Sequence, residues 1–358
     1  MTTLLRRCGA LLLPLLLAVP AFASDEGEGT IALDTDGGTR PVTYLASRLD
    51  EAQLAELKTV APNVTFLMDL SAEEALARAG ELDGADAHLL TDELLAAAPR
   101  LRFVQSWSAG VDTYLALERL RKDNALVLAN MAGVHGPAIA EHVFALLLAL
   151  TRDLPAYLDA QDTANWDRNA GRGLTALAGR TMFVVGMGGI GSEVAQRAKA
   201  FGMEVLATVR TARTAPPYVD ELGTADDLDR FLGQADVVVV ALPLTDETRG
   251  LFDAGRFGKM KEGAYFVNIG RGPIVVTDAL LDAVRLGRLA GVGLDVTDPE
   301  PLPADHPLWR QERVIITPHV SSRAELTLER RWELFKENLR RFGAGEPLVN
   351  VVDKKLGY

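Results

Sequence analysis

Thr181-Met182-Phe183-Val184-Val185-Gly186-Met187-Gly188-Gly189-Ile190-Gly191-Ser192 joins an apolar run to a Gly-rich turn and then to a helical pattern that continues to residue 201. This order is that of a βα unit that holds a dinucleotide: a buried strand, a tight turn, and a helix whose free N–H groups face a pyrophosphate. Gly186 permits the turn, Gly188 lets the backbone approach phosphate, and Gly191 lets helix and strand pack closely. With Gly189 and Ile190, these are the expected cofactor contacts at the turn.

The second strand of the unit, 204–208, decides between the two nicotinamide dinucleotides. An acidic residue at its end would hydrogen-bond the adenosine ribose hydroxyls. None stands there: Val209 is followed by Arg210-Thr211-Ala212-Arg213. Guanidinium groups match a phosphate in charge and geometry, whereas an unmodified ribose offers neither. The expectation is therefore NADP ahead of NAD, with Arg210, Thr211 and Arg213 as contacts and NAD as the alternative.

Outward from this unit, short apolar runs alternate with helical patterns, the rhythm of parallel sheets covered by helices. One series has expected strands at 42–45, 64–67, 87–90, 103–105 and 126–128, with helices such as 50–59 and 72–79 between them. A long apolar helix at 137–152 leads to a second series at 182–185, 205–208, 237–241, 265–269, 291–295 and 314–317. The last pattern, 325–341, is amphipathic, with Leu328, Trp332, Phe335 and Leu339 on one stripe. The fold class is α/β, two doubly wound parallel-sheet domains with a ligand cleft between them. The chain has 358 residues, 48% of them apolar, which is enough for two proper cores.

The N-terminus reads as an export signal. Arg6 and Arg7 precede the apolar run 10–19, and Ala21-Phe22-Ala23 supplies the small residues for cleavage after Ala23. That run is roughly half the length that spans a bilayer, so no membrane anchor is expected. An acidic, Gly-rich leader, 24–40, follows the signal at 1–23. Removing the signal takes away two arginines and moves the formal charge from −12 to −14, against a nucleic-acid partner. The only cysteine, Cys8, lies within the signal, so the mature chain has neither a disulfide nor a thiolate metal site. A soluble periplasmic protein is expected, exported by the general secretory route, with a twin-arginine route as the alternative that would carry a bound dinucleotide along.

Three further motifs complete the pattern: Asn268-Ile269-Gly270-Arg271-Gly272 at the end of a strand, Leu294-Asp295-Val296-Thr297-Asp298-Pro299-Glu300-Pro301, and Thr317-Pro318-His319-Val320-Ser321-Ser322 after the last strand. In their order and spacing the chain resembles the D-isomer-specific 2-hydroxyacid dehydrogenases, glyoxylate/hydroxypyruvate reductase-like members in particular, from about residue 41 onward. The resemblance implies a flavodoxin-like substrate domain split into 41–133 and a returning 321–358, around a Rossmann dinucleotide-binding domain at 134–320. It implies that Arg271 clamps a substrate carboxylate and polarises the adjacent carbonyl. His319 would exchange a proton with the substrate oxygen, and Glu300 would orient its ring. Asp295 would join the cofactor contacts. Ser106-Trp107-Ser108-Ala109-Gly110-Val111-Asp112 resembles the carboxylate-binding loop, with Ala109 and Gly110 facing the substrate. Ser321-Ser322 depart from the small residues common there and put the loop shape in question.

The remaining histidines are read differently. His135 and His142, with Glu141, sit at the start of the long helix and are taken as mainly structural, and His88 and His306 as non-catalytic. No clustering points to a metal. The expected activity is hydride transfer between NAD(P) and a small 2-oxo or D-2-hydroxy acid, with glyoxylate or hydroxypyruvate as substrate and a homodimer as the assembly. The alternatives are a family enzyme acting on another small anion, such as phosphite or formate, and a non-catalytic dinucleotide-binding redox sensor.

Overall fold

The computed structural model describes residues 41–358. The expected export signal and leader lie outside the described residues. The first sheet consists of β1 (Val42–Leu45), β2 (Val64–Leu67), β3 (Gly84–Asp86), β4 (Phe103–Gln105) and β5 (Val127–Ala129), all parallel, in the order β2-β1-β3-β4-β5. The second consists of β6 (Thr181–Val185), β7 (Glu204–Thr208), β8 (Glu221–Gly223), β9 (Val237–Val240), β10 (Ala264–Asn268), β11 (Leu289–Leu294) and β12 (Val314–Ile316), also parallel. Its order, β12-β11-β10-β9-β6-β7-β8, reverses direction between β6 and β9. A crevice opens at such a switch point, and the Gly-rich turn leaves β6 there.

The second sheet is apolar on both faces because helices cover both. Phe183, Val185, Val238, Phe252, Phe257 and Phe266 pack on one side. Met182, Val184, Val237, Val239 and Val267 pack on the other, under Ile139, Val143, Leu147 and Leu150 of the helix Gly136–Thr151. That helix precedes β6 in the chain yet belongs to the second core. The helix Glu325–Ala344 goes the opposite way: Phe335, Leu339 and Phe342 return to the first sheet and meet Val42, Tyr44 and Phe103. The tail continues across that domain, where Val351 forms an antiparallel bridge with Ala129 and the Val352 amide donates to the Leu128 carbonyl at 2.8 Å.

The structure departs from the sequence reading in four places. The strand expected at 87–90 is instead β3 at Gly84–Asp86, and 87–89 forms a single 3-10 turn. Gly84 has no room for a side chain, because a Cβ there would lie 2.6 Å from the Tyr44 ring, so the residues that fit this sheet position carry almost no strand signature. The edge strand β8 and the helix Leu154–Asp162 have no counterpart in the sequence pattern. On the last helix, Leu328 is 65% exposed and lies off the buried stripe, which runs instead through Leu334, Phe335, Asn338, Leu339 and Phe342. Asn338 can occupy that stripe because its amide donates to Gln105 Oε1 and its Oδ1 accepts from the Val349 amide, both at 2.8 Å.

Candidate active site

Gly186 has φ +99°, in the region that favours glycine, and a Cβ there would come within 2.8 Å of the Ala241 carbonyl oxygen. At Gly191 a Cβ would run into the Gly186 carbonyl oxygen, so the helix Gly189–Ala200 approaches the turn only because a hydrogen stands there. Gly188 and Gly189 are exposed, Ile190 is half-buried, and a Cβ at Gly188 would meet open space. The first amides of a helix have no partners within it, so this turn presents N–H donors toward an open approach. The residues present fit the pyrophosphate of a dinucleotide.

The loop after β7 lies against that turn. The Met187 amide donates to the Thr208 carbonyl, and the Arg213 guanidinium donates to the Met187 carbonyl, both at 2.8 Å. Thr211 is exposed. Arg210 is exposed too, its guanidinium 5.1 Å from the centre of the Tyr358 ring.

Across the cleft, the ends of the two sheets meet at Arg271. The turn that carries it is shaped by Asn268, whose Oδ1 accepts from the Gly270 amide at 3.0 Å and whose Nδ2 donates to the Arg271 carbonyl at 3.1 Å. Arg271 Nε donates to Asp112 Oδ1 at 3.2 Å, and Nη1 to the Gly270 carbonyl at 3.0 Å. Nη2 lies against Gly110, in the space a Cβ would need, and has no hydrogen-bond partner among the described residues. Ala109 is beside it, its carbonyl accepting from Asn130 Nδ2 at 2.9 Å. The guanidinium is thus steered by two of its nitrogens and leaves a third for an anion. In the sequence Asp112 is only the end of the 106–112 motif; its place opposite Arg271 is a fact of the packed domains.

His319 Nδ1 lies 2.8 Å from Glu300 Oε1, and both side chains are 43% exposed. An ionised carboxylate only accepts, so the hydrogen in this contact belongs to Nδ1 and the exposed Nε2 is left for chemistry. The ring is aimed by an unusual backbone: His319 has φ +53°, and its amide donates to the Asp295 carbonyl at 2.8 Å. Asp295 is 1% exposed. Its Oδ1 accepts from the Val320 amide at 2.9 Å and the Thr317 hydroxyl at 2.7 Å, and its Oδ2 accepts from the Ser321 amide at 3.0 Å. Expected among the cofactor contacts, Asp295 turns both carboxylate oxygens to the loop that presents His319.

Thr317 adds a link to the long helix. Its single hydroxyl hydrogen goes to Asp295, so His142 Nε2, 2.9 Å away, must donate to the hydroxyl oxygen. His135 has a different setting. It is 3% exposed, and its Nε2 accepts from Arg331 Nε at 2.9 Å. Burial first, and then the Arg331 charge, push its imidazole down to about 4. It is neutral near pH 7 and joins the helix Gly136–Thr151 to the helix Glu325–Ala344. Among the described residues no group of three or more His, Cys, Asp or Glu is placed to hold a metal, and no helix is long and apolar enough to cross a membrane.

The same arrangement of sequence occurs in known proteins. The profile of the D-isomer specific 2-hydroxyacid dehydrogenase NAD binding domain matches residues 144–321. A glyoxylate reductase of Korarchaeum cryptofilum is 33% identical over 333 residues, 88% of this chain and 97% of that protein. Among solved structures, a D-isomer specific 2-hydroxyacid dehydrogenase family protein of Aeromonas salmonicida is 36% identical with a TM-score of 0.75, covering 88% of this chain and 99% of that one. An NADPH-dependent glyoxylate/hydroxypyruvate reductase of Sinorhizobium meliloti, solved with NADP and sulfate, is 29% identical with a TM-score of 0.73, covering 88% and 100%.

Proposed function

The chain belongs to the D-isomer specific 2-hydroxyacid dehydrogenase family and is an NAD(P)-dependent oxidoreductase of small 2-oxo and 2-hydroxy acids, and from that premise we propose an NADPH-preferring reductase of glyoxylate or hydroxypyruvate. Two observations carry the reading: an Arg271 nitrogen left for an anion beside Gly110, and a His319 ring fixed by Glu300 at Nδ1. The acid specificity is supported by the likeness to the glyoxylate reductase of Korarchaeum cryptofilum and the glyoxylate/hydroxypyruvate reductase of Sinorhizobium meliloti. The cofactor preference is supported by Arg210 and Arg213 where an acidic residue would favour NAD.

In this reading residues 41–133 and 321–358 hold the acid and 134–320 hold the cofactor. Arg271 Nη2 and the Ala109-Gly110 backbone receive the substrate carboxylate and place the neighbouring carbonyl toward His319. A dinucleotide held at the Gly186–Gly191 turn would supply the hydride for reduction of that carbonyl. His319 delivers the proton from Nε2 to the oxygen as negative charge develops there, and Arg271 stabilises that charge. Glu300 holds the ring orientation and offsets the charge of the protonated imidazole; Asp295 and Thr317 fix the loop. In the reverse direction His319 accepts the hydroxyl proton.

Residues 1–23 are read as an export signal, with the mature protein in the periplasm. A homodimer through the helix Gly136–Thr151 fits the apolar side chains left exposed just beyond it: Leu154, Leu158 and Trp166, the last 90% exposed. The test is turnover of glyoxylate, hydroxypyruvate and pyruvate by the mature chain with NADPH and with NADH. Reduction of the first two with NADPH preferred is the expected result. Binding of cofactor with no turnover of any 2-oxo acid would instead favour a redox sensor.

A further inference from the structure

The loop expected to recognise the adenosine end of the cofactor carries two arginines, and they stand in different surroundings. Arg213 is tied to the Met187 carbonyl in the Gly-rich turn. Among the described residues Arg210 has no ion-pair partner; what holds it is the aromatic face of Tyr358. An exposed arginine samples many rotamers, and a ring face in contact with the guanidinium restricts them without using its N–H donors. The donors therefore stay free for an anion.

Tyr358 does not belong to the domain that carries Arg210. It lies on the tail that follows the helix Glu325–Ala344, and the anchors of that tail are in the first domain. The Asn130 amide donates to the Asn350 carbonyl at 3.0 Å, Val352 to Leu128 at 2.8 Å, and Lys354 Nζ to the Asp123 carbonyl at 2.8 Å. The segment 353–358 then folds back on itself: the Asp353 amide donates to the Tyr358 carbonyl at 3.1 Å and the Gly357 amide to the Asp353 carbonyl at 2.8 Å. This turn delivers the ring across the domain boundary to the end of β7.

We propose that Tyr358 is a positioning residue for the 2′-phosphate of NADPH: it holds Arg210 in a phosphate-receiving orientation, and through the tail it makes recognition of that phosphate depend on the first domain. The proposal rests on the NADP reading of the Arg210 loop. It adds a residue from outside the Gly-rich turn and the Arg210 loop, on a tail anchored to the first domain.

The test uses the mature full chain and three variants, Arg210→Ala, Tyr358→Leu and Tyr358→Phe. Each is titrated calorimetrically with NADPH, NADH and 2′,5′-ADP, the last reporting phosphate recognition without a nicotinamide. Tyr358→Leu is expected to weaken NADPH and 2′,5′-ADP about two- to fivefold, the size of an exposed cation–π contact, and to leave NADH unchanged. Tyr358→Phe keeps the ring and is expected to bind as the parent does. If Arg210→Ala weakens NADPH selectively and Tyr358→Leu does not, the proposal is overturned while the NADP reading stands. A loss in Tyr358→Leu that is equal for NADPH and NADH also overturns it. If Arg210→Ala leaves the ratio of NADPH to NADH affinity unchanged, the NADP reading of this loop fails and the proposal fails with it.

Discussion

His135 makes the stability of the domain junction depend on pH in a direction that can be worked out. Its imidazole lies at about 4 in the folded chain, against 6.5 for the unperturbed group, because it is buried beside Arg331. Between those values the unfolded chain binds a proton that the folded chain refuses, so the stability gained from a neutral His135 is complete above about 6.5 and is lost as the pH falls toward 4. Integrated over the two values, a change from pH 7.5 to 5.0 removes about 2 kcal/mol, and full protonation about 3 kcal/mol. The matched perturbation is His135→Gln, which keeps an acceptor for Arg331 Nε but does not titrate. Urea unfolding followed by circular dichroism at pH 7.5 and 5.0 would be measured for both proteins, which cancels the titration of every other group. The parent chain is expected to lose about 2 kcal/mol more than the variant between the two pH values. Equal losses would refute the reasoning, since they would mean that His135 accepts its proton in the folded state as readily as in the unfolded one.

Three other predictions concern the cleft. His319→Ala should lower kcat by about 10²- to 10⁴-fold while leaving the NADPH dissociation constant unchanged, as measured by steady-state kinetics beside fluorescence titration. Gly110→Ala places a methyl group where the Arg271 guanidinium lies, and the displaced arginine should cost up to about 10²-fold in kcat/KM for the 2-oxo acid; an unchanged kcat/KM would mean that Arg271 does not work from this position. Asp295→Asn sets an amide donor against the loop donors that the carboxylate now accepts from. It should destabilise the protein by about 1–3 kcal/mol in a denaturant titration and lower kcat more than it raises the KM for cofactor.

The sequence alone determined the fold class, the parallel sheets and the family. The reason is that the Gly-rich turn is a covalently local unit: Gly186 and Gly191 are demanded by backbone geometry within a few residues of themselves, so the pattern survives in one dimension. The same holds for the Val237–Val240 run, which needs only to be apolar on both faces. What the tertiary structure decided lies between residues distant in the chain. Arg271 and Asp112 are 159 positions apart and His135 and Arg331 are 196 apart, and no spacing relates either pair. Gly84–Asp86 is a strand because it pairs with β1 and β4, and Tyr44 and Phe342 leave no space for a side chain at Gly84, so packing there excludes the kind of residue by which a strand is recognised. Asp295 stood in a motif that marks a cofactor cleft, but only the folded loop shows that its two oxygens hold residues 317–321 in place. Local backbone constraints were written in the sequence; the partners of charged side chains were settled by contacts between segments far apart in the chain.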